Sequence, residues 1–338
     1  RKKEPDFTPV VYDPQYILMV NALKKYFPIK GGMFSQTVGH VKAVDGITFN
    51  IRRGITMGLV GESGCGKTTV GRTILRLNGE KTDGQVLFNG KEVYDLAPKE
   101  LRAIRTKMQI IFQDPFSSLS PRMPVGEIIG EAVKEHNLVS KDEYQDYVDD
   151  IMEKCGLQSF HKDRYPHEFS GGQRQRVMIA MAMICRPKLV IADEPTTALD
   201  VTVEAQILQL MRALRNETGS GIVIISHNLG VIAQLCDYVY VMYAGRVVEQ
   251  ADTFDLFAHP MHPYTAGLMA AVSSLARGNG ALEIIPGTVP NLLHLPVGCS
   301  FSLRCAKCGT HCGDVVPELR EVSSGHLVRC INIPEVRL

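Results

Sequence analysis

The chain contains 338 residues, of which 45% are hydrophobic, and this is enough for one large core with a small appendage. Lysine and arginine together number 37, and aspartate and glutamate number 36, so the formal net charge is +1. Because proteins that bind nucleic acid present a net basic surface, this balance argues against that class. No apolar run approaches the roughly 20 residues that a transmembrane helix requires, so we expect a soluble chain that serves a membrane, if at all, from the cytoplasmic side.

Short apolar runs alternate with longer amphipathic runs from about residue 16 to residue 252, which is typical of a largely parallel α/β sheet with helices on both faces. The predicted strands are Val41–Ile51, Ile55–Val60, Met108–Phe112, Leu189–Asp193 and Ile222–Ser226. The predicted helices are Lys67–Leu77, Arg174–Cys185, Val201–Asn216 and Leu229–Leu235. A hairpin is predicted for Val239–Tyr243 and Arg246–Val248, which are separated by Ala244-Gly245.

The segment 115–186 interrupts this alternation, because it contains no convincing strand and at least three helical stretches. We interpret it as a helical subdomain inserted into a sheet domain formed by residues 16–114 and 187–255. After Asp252, prolines become frequent, and five of the nine cysteines fall in the last forty residues. The sequence therefore predicts a third, loop-rich part at 256–338.

Residues 61–69 fit the pattern G-x-x-x-x-G-K-[ST] between a predicted strand and a predicted helix. In such a loop the glycines turn backbone N–H groups inward, and the following helix presents its positive end to phosphates. We expect Lys67 to contact the β- and γ-phosphates of a nucleotide and the Thr68 hydroxyl to bind Mg²⁺. The other predicted nucleotide contacts in the loop are Gly61, Ser63, Gly64, Cys65, Gly66 and Thr69.

The predicted strand Leu189–Asp193 is followed at once by a second carboxylate, Glu194. An acidic strand end is common by itself, but together with a phosphate loop it indicates nucleotide hydrolysis. We expect Asp193 to hold Mg²⁺ and Glu194 to act as the general base that polarises the attacking water.

The string Ser170-Gly171-Gly172-Gln173 precedes a predicted helix that is apolar nearly all round. Ser170 suits a helix N-cap, and the two glycines expose helix N–H groups, so the string predicts a second anion site. In its residues and its position, the string resembles the signature motif of the ABC ATPase family. The resemblance implies a RecA-like P-loop NTPase core with an inserted helical subdomain.

The same resemblance implies roles for residues outside these motifs. Gln113 would sense Mg²⁺ and water, and His227 would contact the γ-phosphate, so both would be catalytic. Ala198-Leu199-Asp200 would form the D-loop. Tyr26 would stack on adenine, with Phe27 as the alternative.

In this family two such domains pair head to tail, which implies that each ATP is held between Lys67 of one domain and the Ser170 segment of the other. Binding of ATP would then close the dimer, and hydrolysis would reopen it.

Several further strings are similar to the oligopeptide and dipeptide importer ATPases. The strings Phe27–Phe34 and Val41–Gly46 resemble the opening of these ATPases, and more closely that of the F-type of their paired subunits. Similarly characteristic are Ser118–Met123, Tyr165–Glu168 and His262–Thr265. They imply an ATP-hydrolysing subunit of a bacterial peptide importer, bound peripherally at the cytoplasmic face of the membrane. The implied partners are a second homologous ATPase, two transmembrane permeases and an extracytoplasmic substrate-binding protein, with no nucleic acid.

The cysteine cluster near the C-terminus favours a metal site over a disulfide framework in a cytosolic chain. The importer resemblance implies a [4Fe–4S] cluster bound by Cys299, Cys305, Cys312 and Cys330. The additional Cys308, which forms a C-x-x-C pair with Cys305, and the nearby His311 leave a tetrahedral zinc site open as an alternative.

Several other functions remain open at this point. The importer could carry a non-peptide cargo, such as a nickel complex, glutathione or an oligosaccharide, because the binding protein and the permeases choose the cargo and no residue of this chain reports it. A soluble ABC ATPase without a transport role usually fuses two ATPase halves or inserts a coiled coil, and neither is present. An exporter subunit lacks the importer strings, and a P-loop kinase does not need the Ser170 string.

Overall fold

The structure, a computed structural model, describes residues 7–31, 36–197, 199–277 and 285–333. Its strands are β1 Tyr16–Gly31, β2 Gln36–Arg52, β3 Thr56–Val60, β4 Asp83–Phe88, β5 Lys91–Glu92, β6 Met108–Ile111, β7 Leu189–Asp193, β8 Gly221–Ser226, β9 Tyr238–Tyr243, β10 Arg246–Asp252, β11 Arg320–Ser323 and β12 His326–Val328. Its α-helices are α1 Lys67–Ile74, α2 Pro98–Arg105, α3 Pro115–Ser118, α4 Val125–His136, α5 Tyr144–Lys154, α6 Gly171–Met183, α7 Val201–Thr218, α8 Leu229–Leu235, α9 Thr253–Ala258 and α10 Pro263–Arg277. Short 3₁₀ turns occur at Ser159–His161, Pro166–Glu168 and Ser302–Arg304.

The main sheet has eight strands in the order β11-β12-β10-β9-β3-β8-β7-β6. Strands β6, β7, β8, β3 and β9 pair in parallel, as the alternation of apolar and amphipathic runs predicts. Every residue of β3, β7 and β8 is buried, because helices or the second sheet cover both faces. The predicted α/β class is therefore confirmed, and the C-terminal ends of β3, β6, β7 and β8 meet at one edge.

A second sheet is antiparallel and has the order β2-β1-β4-β5. Strand β1 is absent from the predicted strands, because its pairing with β2 contains several register shifts that break the period-two pattern of burial. The sheet packs on the main sheet through a shared core that includes Leu18, Phe49, Met57 and Tyr240. This packing brings β1 and β2 beside the loop that follows β3.

The helices α3 to α6 form a group within the segment 115–186. Helices α4, α5 and α6 bury apolar side chains against one another, including Ile129, Met152 and Val177. Tyr144 lies across α4, where its ring is 4.7 Å from the Lys134 ammonium. The core of this helical segment is continuous with that of the main sheet, because the same cluster of buried side chains includes Val60 and Ile224.

The C-terminal part contributes two strands to the main sheet, although we predicted it to be loop-rich. Strand β12 pairs with β10, where Glu249 lies opposite Val328, and β11 pairs with β12. The buried His326 strengthens this junction, because its ring nitrogens lie 2.7 Å from Glu249 and 2.7 Å from Asp255. Strands of three or four residues are too short to show a clear alternation, so the sequence did not reveal them.

A second buried histidine predicts how stability depends on pH. His262 Nδ1 accepts a hydrogen bond from the Tyr264 N–H at 3.1 Å, and burial lowers the pKa of His262 to about 4. The pKa of a histidine in an unfolded chain is near 6.5. Between pH 6.5 and 4, His262 is therefore protonated in the unfolded chain but stays neutral in the folded chain. We therefore expect the contribution of His262 to the free energy of unfolding to fall by about 3 kcal/mol as the pH drops through this window.

The matched variant is His262→Asn, whose amide oxygen can accept the same hydrogen bond but does not titrate. Thermal unfolding at pH 7 and at pH 4.5 should show a smaller loss of Tm for this variant than for the wild type. Equal losses of Tm in the variant and the wild type would contradict the conclusion that His262 causes this pH dependence.

Candidate active site

The phosphate loop lies between β3 and α1, as predicted, and its glycines permit close approaches of backbone. Gly66 caps α1 with φ +108°, and a Cβ atom placed there would lie 2.0 Å from the Ala43 carbonyl oxygen. Gly61 has φ +151°, and its Cβ would lie 2.2 Å from the Met242 carbonyl oxygen. Only glycine fits these two positions, because the obstacles are backbone atoms.

The turn of the β9–β10 hairpin is hydrogen-bonded to the phosphate loop and to β2. The Gly245 N–H donates to the Cys65 carbonyl at 2.9 Å, and the Gly245 carbonyl accepts from the Asp45 N–H at 2.8 Å. The Cys65 side chain is fully buried beneath the loop, and burial raises the pKa of its thiol. Cys65 therefore fills space under the loop as a protonated thiol.

A cavity of about 440 Å³ opens over the phosphate loop. Most of the predicted loop contacts line it, together with residues from β1, β2, two strand ends and the C-terminal part: Phe27, Val41, Ala43, Ser63, Gly64, Gly66, Lys67, Thr68, Thr69, Gln113, Glu194 and Leu292. Lys67 is buried, and its ammonium donates to the carbonyls of Gly61 at 2.7 Å and Glu62 at 2.9 Å. An anion bound in the cavity can replace these two carbonyl groups as the hydrogen-bond acceptor of the Lys67 ammonium.

Asp193 and Thr68 meet at the base of this site. The Thr68 hydroxyl donates to Asp193 Oδ1 at 2.9 Å. Asp193 Oδ2 is buried and has no hydrogen-bond partner among the described residues. Burial raises the pKa of Asp193, because the charged carboxylate is poorly solvated there. An unpartnered carboxylate oxygen beside a hydroxyl is a donor set that suits a small hard cation such as Mg²⁺.

Glu194 lies where the C-terminal ends of the neighbouring strands β6, β7 and β8 meet. Its carboxylate accepts from Gln113 Nε2 at 3.1 Å and from the Thr197 hydroxyl at 2.9 Å, and His227 Nδ1 lies 3.1 Å away. Its backbone has φ +49°, which is rare for a residue with a side chain and which clusters at active sites. The structure thus brings together Gln113, Glu194 and His227, three predicted site residues that are far apart in the sequence. Thr197 is not among the predicted site residues, and no pattern in the sequence distinguishes it.

The signature string begins α6, as predicted. The Ser170 hydroxyl accepts from the Gln173 N–H at 3.3 Å, and the Gln173 side chain accepts from the Ser170 N–H at 3.0 Å, which forms a capping box. A Cβ atom at Gly172 would lie 2.5 Å from Val203 of α7, so the glycine allows the two helices to pack closely, while Gly171 makes no such contact. None of the four string residues lines the cavity that contains Lys67.

The D-loop string is described in part. Asp200 caps α7, since its side chain accepts from the Val203 N–H at 2.9 Å. Leu199 packs against the core that surrounds α6 and α7. Ala198 lies outside the described residues.

The structure favours Phe27 over Tyr26 as the aromatic wall of the cavity. Phe27 lines the cavity, and its side chain is partly exposed. Tyr26 is not among the lining residues, and its hydroxyl donates to the Asp45 carboxylate. Consecutive residues of a strand point to opposite faces, so only one of the two rings can face the cavity. A register shift between Lys25 and Tyr26 sets which ring it is, and the sequence does not show this shift.

The clustered cysteines lie close together in the C-terminal part. The Cys299 N–H donates to the Cys312 carbonyl at 2.8 Å, and the Cys308 N–H donates to the Cys305 carbonyl at 3.1 Å. Cys312 Sγ accepts from the Gly309 N–H at 3.3 Å and from the Asn332 amide at 3.4 Å. Burial raises the pKa of the Cys299, Cys305 and Cys330 thiols. Within the described ranges, however, no group of three or more His, Cys, Asp or Glu residues is arranged to hold a metal ion.

Across the described part of the chain, no helix is both long enough and apolar enough to cross a bilayer.

Comparison with known proteins gives matches over most of the chain. The family described as ABC transporter matches residues 44–197, and the family described as oligopeptide/dipeptide transporter, C-terminal region, matches residues 248–312. The oligopeptide transport ATP-binding protein AppF of Bacillus subtilis strain 168 is 42% identical over 319 residues, which are 93% of this chain and 96% of that protein. A putative peptide import ATP-binding protein of Brucella ovis is 42% identical over 316 residues, which are 93% of this chain and 97% of that protein.

Two solved structures are similar in fold. CbiO1 of Clostridium perfringens, part of an ABC transporter complex, matches with a TM-score of 0.62 and 30% identity over 78% of this chain and 98% of that chain. A dimeric post-hydrolysis structure of the ATP-binding cassette MJ0796 with ADP and Pi matches with a TM-score of 0.62 and 26% identity, covering 70% of this chain and 98% of that chain.

Proposed function

Because the chain belongs to the family of ABC transporter ATP-binding proteins, we propose that it is the ATP-hydrolysing subunit of a bacterial importer of di- and oligopeptides. The observation that carries the ATPase part is the position of Glu194. Its carboxylate lines the same cavity as Lys67 and is contacted by Gln113, Thr197 and His227. The observation that carries the peptide part is the match of residues 248–312 to the oligopeptide/dipeptide transporter C-terminal region.

Catalysis follows from the roles of these side chains. The phosphates of ATP would replace the Gly61 and Glu62 carbonyls as partners of the Lys67 ammonium and would also receive the N–H groups at the start of α1. Glu194 would accept a proton from the attacking water as general base. The donors from Gln113 and Thr197 hold the carboxylate in place, so it needs little reorganisation when the proton arrives.

Mg²⁺ would be held by Thr68 and Asp193, and Gln113 is the third proposed ligand. The unpartnered Asp193 Oδ2 beside the Thr68 hydroxyl supports this assignment. When bound, the ion would neutralise charge on the phosphates.

The proposed partner that completes the nucleotide site is a second, homologous ATPase subunit. In this chain the Ser170 string and the Lys67 cavity are separate, so one chain offers two half-sites with different chemistry. Head-to-tail pairing would bring each signature string, Ser170 to Gln173 here, against the phosphate loop of the other subunit, with Asp200 near the junction. The ATP-binding cassette MJ0796, which is similar in fold, was solved as a dimer in a post-hydrolysis state with ADP and Pi.

We further infer that the transporter contains two permeases and that a permease docks on this chain at the helical subdomain and the adjoining Gln113 segment, which would hold the chain at the cytoplasmic face of the membrane. Phe112 and Phe116 flank Gln113 and are exposed, with 37% and 69% of their surface accessible. The Arg174 guanidinium of α6 lies 4.1 Å above the Phe116 ring. A partner that covers these rings would therefore contact the segments of both Gln113 and the signature helix.

The deciding experiment is to tag the chain in its native host, purify it in mild detergent and identify the proteins that accompany it. We expect a second ATPase and two multi-span permeases, with a binding protein encoded beside them that reports the cargo. If the partners match but the binding protein carries a nickel complex, glutathione or an oligosaccharide, the importer stands and the peptide cargo is wrong. A homodimer alone, or ribosomal or repair proteins, would overturn the transport role.

The adenine contact can be tested by comparing Phe27→Ala with Tyr26→Ala. Loss of a stacked ring costs about 1–3 kcal/mol per base, so Phe27→Ala should raise the Kd for ATP about tenfold. Tyr26→Ala should leave the Kd nearly unchanged, because its hydroxyl contacts Asp45 instead. Titration of each variant with a fluorescent ATP analogue measures both effects. A larger loss of affinity for Tyr26→Ala would instead identify Tyr26 as the ring that stacks on adenine.

For the cysteines, we propose that Cys299, Cys305, Cys312 and Cys330 bind a [4Fe–4S] cluster. Their gathering in one place and the two N–H donors to Cys312 Sγ support this proposal, since hydrogen bonds to sulfur tune such clusters. None of these four cysteines lines the cavity that contains Lys67, so no step of the proposed ATPase mechanism involves the cluster. Protein purified without oxygen should be brown and contain iron, and Cys308→Ser should retain it. A colourless protein with stoichiometric zinc would overturn the proposal.

A further inference from the structure

An arginine of the C-terminal part reaches the phosphate loop. Arg304 ends the 3₁₀ turn Ser302–Arg304 and is only 9% exposed. Its Nη1 donates to both carboxylate oxygens of Glu62, at 3.0 Å and 3.1 Å. The rest of its guanidinium is held by the carbonyls of Pro286 at 2.8 Å and Ile285 at 3.3 Å. Arg304 thus connects the 285–304 segment to the loop that would hold the phosphates of ATP.

The backbone N–H and carbonyl groups of Glu62 are hydrogen-bonded as well. Its N–H donates to the Tyr264 hydroxyl at 2.9 Å, and its carbonyl accepts from the Lys67 ammonium at 2.9 Å. Tyr264 also belongs to the C-terminal part, where it is fully buried. Two side chains from beyond residue 252 therefore hold a single residue of the phosphate loop.

An aromatic cluster stabilises these two contacts. The Tyr264 ring lies 4.7 Å from the Tyr243 ring and 5.5 Å from the Phe301 ring, and Tyr243 and Phe301 are 5.2 Å apart. Such packing leaves Arg304 and Tyr264 little freedom. In the same region Leu292 lines the nucleotide cavity, and its carbonyl accepts from the Lys42 N–H at 3.2 Å.

We propose that Arg304 is a positioning residue for the phosphate loop and that it neutralises Glu62. A carboxylate in a loop that binds phosphates would repel them, and solvent screens Glu62 only in part, since 29% of its side chain is exposed. The guanidinium cancels this charge and also orients the residue that precedes Ser63. The inference rests on the proposed function, since it assumes that the cavity binds ATP.

The test measures ATP binding by the full chain with a fluorescent ATP analogue, together with thermal unfolding. Arg304→Gln leaves the Glu62 charge uncompensated, so we expect the Kd for ATP to rise about tenfold, within the usual range of coupling between sites. In the double variant Arg304→Gln with Glu62→Gln the charge is gone, so the Kd should return to within about threefold of the wild type. A merely structural arginine would not be rescued by a second substitution.

Arg329→Gln is the matched control. Arg329 is a half-buried arginine of the C-terminal part, but it donates to the Val247 and Pro317 carbonyls and not to the loop. The Arg329→Gln variant should have a lower Tm than the wild type but the same Kd for ATP. If Arg304→Gln does not fold, Arg304→Lys retains the charge and should bind ATP nearly as well as the wild type.

The proposal is overturned if Arg304→Gln binds ATP as the wild type does, if the double variant is not rescued, or if Arg304→Lys loses binding while folded. A wild-type chain that does not bind ATP would instead overturn the proposed function itself, and the inference with it.

Discussion

The Glu194→Gln variant is expected to bind ATP normally and to hydrolyse it about 10²–10⁴-fold more slowly than the wild type. The amide has nearly the same shape as the carboxylate, and its oxygen can still accept from Gln113 and Thr197, so the cavity is preserved. It cannot take a proton from water at neutral pH, so the general base is lost. ATP should therefore hold the dimer closed, and phosphate release by the assembled transporter together with size-exclusion chromatography measures both effects.

Glu204→Gln provides the control for this experiment. Glu204 lies in the first turn of α7 and does not line the cavity, so its variant should retain both binding and hydrolysis. Near-normal turnover by the Glu194→Gln transporter would contradict the assignment of Glu194 as the base that this transporter needs.

The second large effect is expected for Gly66→Ala, which should weaken ATP binding on the order of 100-fold, equivalent to ~2.7 kcal/mol. The added methyl group would lie 2.0 Å from the Ala43 carbonyl oxygen, so the loop must shift away from β2. Because this obstacle is backbone, no side-chain rotation can relieve it. The shift would move the N–H groups at the start of α1 away from the phosphates, and ATP titration would detect it.

Gly54→Ala separates this effect from the cost of a left-handed backbone. Gly54 has φ +69°, and a Cβ atom there would have nothing within 4 Å. The Gly54 variant should therefore show a small loss of Tm with unchanged ATP binding. Equal ATP affinity of the two variants would contradict the close approach between the loop and β2.

Much of the site could be predicted, because its motifs are local in the chain. The strand β3, the glycine loop and the helix α1 are consecutive, and so are the strand β7 and its two carboxylates. The predicted ends of β7 and α8 agree with the structure, since a continuous apolar run and a capping residue are properties of the segment itself. The α/β class followed from the same alternation.

The remaining parts could not be predicted because they depend on strand pairing and on turns, which leave no clear pattern of residue types. Strand β1 contains register shifts that hide its alternation, and β11 and β12 are too short to show one. Whether Phe27 or Tyr26 lines the nucleotide cavity depends on which face of β1 is turned toward the phosphate loop. Thr197 contacts Glu194 because of a tight turn after β7, and no residue pattern indicates it.

By itself the sequence determined the family, the order of the motifs and the chemistry that each can perform, because residue type and spacing along the chain are sufficient for these. Only the tertiary structure decided which distant segments meet. Arg304 and Glu62 are 242 positions apart, and Leu292 shares a cavity with Phe27. Such contacts arise when separate apolar faces pack into one core, and spacing along the chain carries no record of which polar groups that packing brings together.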